Sequence, residues 1–224
     1  MGEGTVLITG GAGGIGSAAV ERFVAEGWRV VAPVRPGSSG RLPSGAVAVE
    51  GDLQKETEVT AAMAVAAAEA GAPLRAVVNL VGGFAVGGKI HETPIAGLDA
   101  MLAANLRPTY LVTAAALPHL VAAGGGSVVC VAARAALAPF PGGSGYAIAK
   151  AAVLAFASSV AAEYKGSAVR CNTLLPAIVD TPLNRRDMPD ADPGKWTSAE
   201  EVASVLLFLT SDASRPTTGA QIPV

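Results

Sequence analysis

Thr5-Val6-Leu7-Ile8-Thr9 is a short run of β-branched and apolar residues, and Gly10-Gly11-Ala12-Gly13-Gly14-Ile15-Gly16 follows it directly. The run reads as a strand. Ser17–Glu26 reads as a helix with Val20, Phe23 and Val24 on one face. A glycine-rich turn between strand and helix lets backbone N–H groups close on a pyrophosphate, and the helix N-terminus adds a partial positive charge. Two registers of the dinucleotide fingerprint fit, Gly10/Gly14/Gly16 and Gly11/Gly13/Gly16. Thr9, Gly10, Gly14, Ile15 and Gly16 are therefore expected to bind cofactor.

The alternation continues along the chain. Arg29–Val34, Ala46–Glu50, Ala76–Val81, Ser127–Ala132, Ala168–Leu175 and Ala220–Val224 read as strands. Glu56–Ala70, Pro94–Ala123, Tyr146–Tyr164 and Ala199–Leu209 read as helices, with Pro108 and Pro118 as a boundary or kinks. The strands are continuous apolar runs, the pattern of parallel strands buried on both faces. The fold class predicted is α/β: a Rossmann-type doubly wound parallel sheet flanked by helices on both faces. Gly- and Pro-rich stretches (36–45, 82–88, 139–145, 182–197) read as loops at the sheet's edge, and no linker or repeat divides the chain. Residues 1–224 are read as a single dinucleotide-binding domain.

Composition narrows the function. Of 224 residues, 51% are hydrophobic and 15% charged, enough apolar material for a large core and too much for disorder. The net charge is −2 and no Lys/Arg cluster appears, so no nucleic acid partner is expected. Apolar stretches such as Leu111–Ala123 are too short to cross a bilayer, so no membrane partner is expected. Met1-Gly2-Glu3-Gly4 lacks the basic and apolar regions of a secretory leader, and Val6 stands where a myristoylation signal needs Ser or Thr. Cys130 and Cys171 lie in separate apolar segments and read as small core residues of a reducing compartment. A cytoplasmic protein is expected. His91 and His119 have no partner at metal spacing, and no metal is expected.

Tyr146 and Lys150 stand four apart on one face of the predicted helix. A phenol with a pKa of about 10 is a poor proton donor at neutral pH, and a nearby ammonium stabilises the phenolate and lowers that value. The pair is therefore expected to supply a proton. With the glycine turn upstream, the chain resembles the short-chain dehydrogenase/reductase family over essentially its whole length. Asp52-Leu53 resembles the family's adenine-contact pair. Asn79-Leu80-Val81-Gly82 is similar to its Asn-Asn-Ala-Gly turn, with two departures. Asn105 in Ala104-Asn105-Leu106 matches its helix asparagine. Arg170-Cys171-Asn172 and Pro176-Ala177-Ile178-Val179-Asp180-Thr181-Pro182 match the strand and loop that hold the nicotinamide. The resemblance implies that Asp52, Leu53, Asn79, Gly82, Tyr146 and Lys150 contact the cofactor. It also implies that Val179 supplies backbone contacts to the carboxamide and Thr181 a hydroxyl. Asn105 is implied as a catalytic residue holding a proton-relay water; the alternative is a local backbone hydrogen bond in a helix kink. A homodimer or homotetramer using helices 94–123 and 146–164 is implied as well.

One departure matters. The family's catalytic serine lies thirteen residues before the tyrosine, where this chain has Ala133. Alanine donates no hydrogen bond, and losing such a donor costs a ketone reductase roughly 10²–10³ in rate. Ser144 is a possible substitute, placed on the loop. A narrower resemblance accounts for the alanine. Asp180–Asp192, then Trp196-Thr197, is similar to the loop of quinonoid dihydropteridine reductases, which also read alanine at this position. Those enzymes carry Gly-Gly-aromatic after the fourth strand, here Gly82-Gly83-Phe84. This implies hydride transfer to a quinonoid dihydropterin or similar activated ring, with Phe84, Ala133 and Trp196 facing the substrate. The alternatives are a carbonyl reductase of another small molecule, or a weakly active NAD(P)H-binding sensor. At the end of Arg29–Val34, Val34 replaces the carboxylate that would bind a free ribose 2′-hydroxyl. Arg35, with Ser38 and Ser39 following, is expected to pair with a 2′-phosphate. NADP (NADPH) is thus expected over NAD (NADH), although the narrower resemblance pulls toward NADH.

Overall fold

The computed structural model describes residues 4–224; the leader and myristoylation expectations fall on Met1–Glu3, outside the described residues. Seven parallel strands form one sheet: β1 (Thr5–Thr9), β2 (Arg29–Val34), β3 (Ala46–Glu50), β4 (Leu74–Asn79), β5 (Gly126–Val131), β6 (Val169–Leu175) and, last in the chain, β9 (Gln221–Pro223). Their order across the sheet is β3-β2-β1-β4-β5-β6-β9. Two further two-residue strands, β7 (Val179–Asp180) and β8 (Thr197–Ser198), pair with each other apart from the main sheet. The helices are α1 (Gly14–Ala25), α2 (Glu56–Ala67), α3 (Ile95–Asn105), α4 (Arg107–Ala122), α5 (Ser144–Glu163), α6 (Pro182–Asp187) and α7 (Ala199–Thr210).

Successive strand residues point to opposite faces, and the sheet is buried on both. Leu7, Val31, Val77 and Val128 pack with residues of α2, α4 and α5, including Met63, Leu120 and Val153. Val6, Ile8, Val30 and Val78 pack on the other face with α1 and α7, through Phe23, Val202 and Leu206. This is the doubly wound architecture the continuous apolar runs predict. Edge strand β3 departs from the pattern: Val47 and Ala48 are exposed.

The helix boundaries shift by a few residues. Helix α1 begins at Gly14, three residues earlier than its apolar face suggests, because glycine hides a helix start in a propensity reading. The Ala-rich helix α2 stops at Ala67. The segment expected as one helix over 94–123 is two helices broken at Leu106, with Pro108 in the first turn of α4, where its missing N–H costs nothing. Helix α5 is long and apolar enough to cross a membrane by length and composition, unlike the shorter runs weighed from the sequence. Its Val153, Leu154, Ala157, Val160 and Ala161 instead lie in the sheet's core.

Candidate active site

Sheet order reverses between β1 and β4, and open α/β sheets bind ligands at such a switch point, beyond the carboxyl ends of the strands. The glycine turn lies there. Gly10 has φ +72°, the left-handed region that favours glycine. The N–H of Gly13 donates to the carbonyl of Gly10 at 2.9 Å. A Cβ on Gly16 would overlap the carbonyl oxygen of Gly10, so α1 can pack this closely on the turn only with glycine there. Helix α1 has no side-chain cap and no acidic residue in its first turn. Its first N–H groups therefore face the turn without a competing anion.

A cleft of about 350 Å³ opens beside this turn. Its walls include Gly10, Arg35, Asp52, Leu53 and Gly82 from the predicted set, and Gly13 of the alternative glycine register. They also include Arg41 and Gln54, which carry no motif in the sequence, and Pro108, expected only as a helix boundary or kink. Arg41 was legible only as a second arginine in a Pro- and Gly-rich loop; the turn Ser39–Arg41 brings it round to Ala12, whose carbonyl its Nη2 approaches at 3.4 Å. Glu50 at the end of β3 holds that loop, accepting from Gly37 N at 3.1 Å and from the Ser39 hydroxyl. These two bonds keep the Glu50 carboxyl below its ordinary pKa. Of the two serines expected to face a phosphate, Ser38 lines the cleft, while Ser39 turns to Glu50.

Several predicted cofactor residues also make bonds that hold the fold together. Thr9 is buried, and its hydroxyl oxygen accepts from the N–H groups of Leu80 (3.0 Å) and Val81 (3.2 Å), tying the end of β1 to the loop after β4. Asn79 is buried too: its Nδ2 donates to Thr113 Oγ1 at 2.9 Å, and its Oδ1 has no partner. Thr181 Oγ1 accepts from Asn184 N at 3.2 Å and caps α6, which leaves its proton and a second lone pair to offer a ligand. The β7–β8 pair joins the two ends of the loop carrying α6, and a Cβ on Gly14 would come within 2.7 Å of Thr181 Cγ2. That loop thus sits on the glycine turn. Ile15 of α1 packs toward the sheet.

The Tyr146–Lys150 pair lies at the start of α5. Lys150 is buried, its Nζ donates to the carbonyl of Val131 at 3.0 Å, and it lies 5.8 Å from the centre of the Tyr146 ring. Burial pulls the Lys150 pKa down to about 8, with Cys130 a weaker opposing influence. Burial also raises the Tyr146 pKa, which corrects the sequence expectation of a lowered phenol. Desolvation disfavours the charged form of both groups. Gly82 separates this lysine from Asn105: a Cβ there would stand 3.1 Å from Lys150 Nζ and 2.6 Å from Asn105 Oδ1. Asn105 is buried and bonds in both directions to the backbone of Gly83, and its Nδ2 also donates to Met101 O at 3.0 Å. The Met101 bond is the local one at the α3–α4 break, and the Gly83 bonds tie that break to the loop after β4.

Ala133 is buried, just beyond β5. Ser144 is the first residue of α5 rather than part of a loop, because the helix begins two residues before Tyr146. Phe84 meets Tyr146 edge-on, with ring centres 5.0 Å apart. Trp196 does not join them. It lines a separate surface hollow with Lys195, Glu201, Val205 and Val224, where β8 and α7 carry it. Among the described residues, no group of three His, Cys, Asp or Glu side chains is placed to hold a metal.

A glycine turn at the crevice of a doubly wound sheet, facing a Tyr–Lys helix, marks a dinucleotide-dependent oxidoreductase class. The chain belongs to the short chain dehydrogenase family, whose profile matches residues 4–192. It is 34% identical to 2-(R)-hydroxypropyl-CoM dehydrogenase of Xanthobacter autotrophicus, over 96% of this chain and 94% of that one. A short-chain type dehydrogenase/reductase from Mycobacterium ulcerans superimposes with a TM-score of 0.92 at 28% identity, covering 99% of this chain and 88% of that one. The 3-ketoacyl-(acyl-carrier-protein) reductase of Brucella melitensis, solved in complex with NADH, superimposes with a TM-score of 0.87 at 26% identity, covering 99% and 96%.

Proposed function

We propose that this protein transfers a hydride from NADPH to a flat, conjugated and strongly electrophilic ring, with quinonoid dihydropterin as the representative substrate. The observation that carries this reading is Ala133, a buried methyl group where a ketone reductase of this family needs a hydroxyl. Charge arriving on a nitrogen-rich ring spreads out, and such a substrate depends little on one localised donor. The bound nicotinamide supplies the hydride. The chain does the rest. Gly10, Gly14 and Gly16 accommodate the pyrophosphate at the α1 N-terminus, Asp52 and Leu53 face the adenine, and Val179 and Thr181 face the carboxamide. Tyr146 gives its Oη proton to the ring atom that gains charge, and the Lys150 ammonium stabilises the phenolate left behind.

A second reading, reversible oxidation of an alcohol to a ketone, is favoured by the activity named for the Xanthobacter relative. Ala133→Ser separates the two. On the ring-reductase reading, quinonoid dihydropterin turnover stays within a few-fold of wild type and weak ketone reduction rises. A gain of roughly 10²-fold on simple ketones and on the ring alike would defeat the reading.

The preference for NADPH rests on Arg35 and Arg41, both on the wall of the cleft. A charge-assisted arginine–phosphate contact contributes about 1.5–3 kcal/mol, roughly ten- to a hundred-fold in affinity. Titration of both reduced cofactors into Arg35→Ala should show that loss for NADPH and almost none for NADH. Equal wild-type affinities would count against the assignment. We extend the proposal to a cytoplasmic protein that forms a homodimer or homotetramer through helices 94–123 and 146–164, where exposed Tyr110, Val121 and Ile148 offer apolar surface to a second copy.

A further inference from the structure

We propose that Phe140 forms, with Phe84, an apolar wall that selects a planar ring as the substrate at Tyr146. The inference rests on the reading that Tyr146 marks the reacting end of the site. The two phenylalanines come from loops far apart in sequence. Phe84 follows β4 and Phe140 precedes α5, yet their ring centres lie 6.3 Å apart with 38° between the planes. Phe84 also stands edge-on to Tyr146 at 84°. The three rings thus form one continuous aromatic surface. Its outer members are open, Phe84 being 63% exposed and Phe140 38%. Exposed aromatic rings in contact with a half-buried tyrosine, and carrying no charge, suit a flat apolar partner.

The two loops are fastened together. Gly87 N donates to the carbonyl of Gly142 at 2.9 Å. Gly142 has φ +79°, and a Cβ on it would come within 2.5 Å of the carbonyl oxygen of Gly87. A Cβ on Gly143 would come within 2.6 Å of the Phe140 ring. Two consecutive glycines therefore let one backbone lie against the other loop and let the Phe140 ring fold over the chain. The wall is held in place before any substrate arrives, which lowers the ordering cost of binding.

The test uses two electrophilic dicarbonyl probes, isatin as a planar bicycle and 2,3-butanedione as an acyclic compound. KM and kcat are measured with NADPH, and isatin binding to the NADP-loaded protein is followed by calorimetry. Phe140→Ala should raise the KM and Kd for isatin about five- to ten-fold, with kcat within two-fold and 2,3-butanedione unaffected. Phe140→Trp should restore isatin binding. Equal losses on both probes, no loss on either, or no isatin binding by wild type would overturn the wall. So would a change of oligomeric state in Phe140→Ala with the isatin constants unmoved, which would make the patch a subunit interface. Binding of isatin through Phe140 with no turnover of quinonoid dihydropterin would uphold the wall and defeat the proposed reaction instead.

Discussion

Tyr146→Phe is expected to lower kcat by roughly 10²–10⁴-fold, the contribution of a positioned proton donor. The substitution removes one oxygen and keeps the ring, so the edge contact with Phe84 survives. Folding and NADPH affinity should stay within two-fold of wild type. Steady-state kinetics beside a direct cofactor titration distinguish lost chemistry from lost binding. The pH profile carries the same argument. Burial keeps Tyr146 protonated through neutral pH, so the group that titrates is Lys150, at about 8. The wild-type kcat/KM for reduction should therefore fall as pH rises through that value, when the ammonium that stabilises the phenolate is lost. Full activity in Tyr146→Phe would place the proton elsewhere.

Lys150→Met should abolish most turnover and at the same time make the cofactor-free protein more stable. An unfolded lysine titrates at about 10.4, whereas Lys150 in the fold titrates at about 8. Between these values the unfolded chain holds a proton that the folded chain does not, so stability rises with pH across that window. Below it, the fold carries the full penalty of a poorly solvated ammonium, about 3 kcal/mol on the order-of-magnitude scale. Methionine removes that penalty at similar volume and loses the bond to Val131 O, which offsets about 1 kcal/mol. The net gain at pH 7 is about 2 kcal/mol, or roughly 4–8 °C in Tm. Thermal unfolding at pH 7 and pH 10 measures it, and the difference should shrink at the higher pH. A lower Tm for the variant at pH 7 would sink the argument.

The apolar runs Thr5–Thr9, Arg29–Val34 and Val169–Leu175 announced their strands because a strand buried on both faces has no polar position to confuse the pattern. The glycine turn was equally plain: the close packing of Gly16 on Gly10 tolerates no other residue, so composition alone carried the geometry. Tyr146 and Lys150 were legible as a pair because helix spacing is periodic. What that spacing left open was their electrostatics. Two groups four apart on a helix read as mutual stabilisation, and only the depth at which α5 meets β5 makes desolvation the larger influence.

The remaining decisions belonged to contacts between distant segments. Trp196 stands in a stretch that reads as substrate loop, but β7–β8 pairing and α7 carry it to another surface. Arg41 has no motif around it, and it reaches the cleft because Glu50 gathers the Ser39 turn. Phe140 has no motif around it, and it reaches Phe84 because Gly142 lets two loops bond to each other. The layered sheet, the glycine turn and the Tyr–Lys pair are legible in the chain, because each rests on periodicity or on steric limits felt within a few residues. Tertiary structure alone decided which side chains share a wall and which groups lose their water, because both depend on segments tens of residues apart meeting in space.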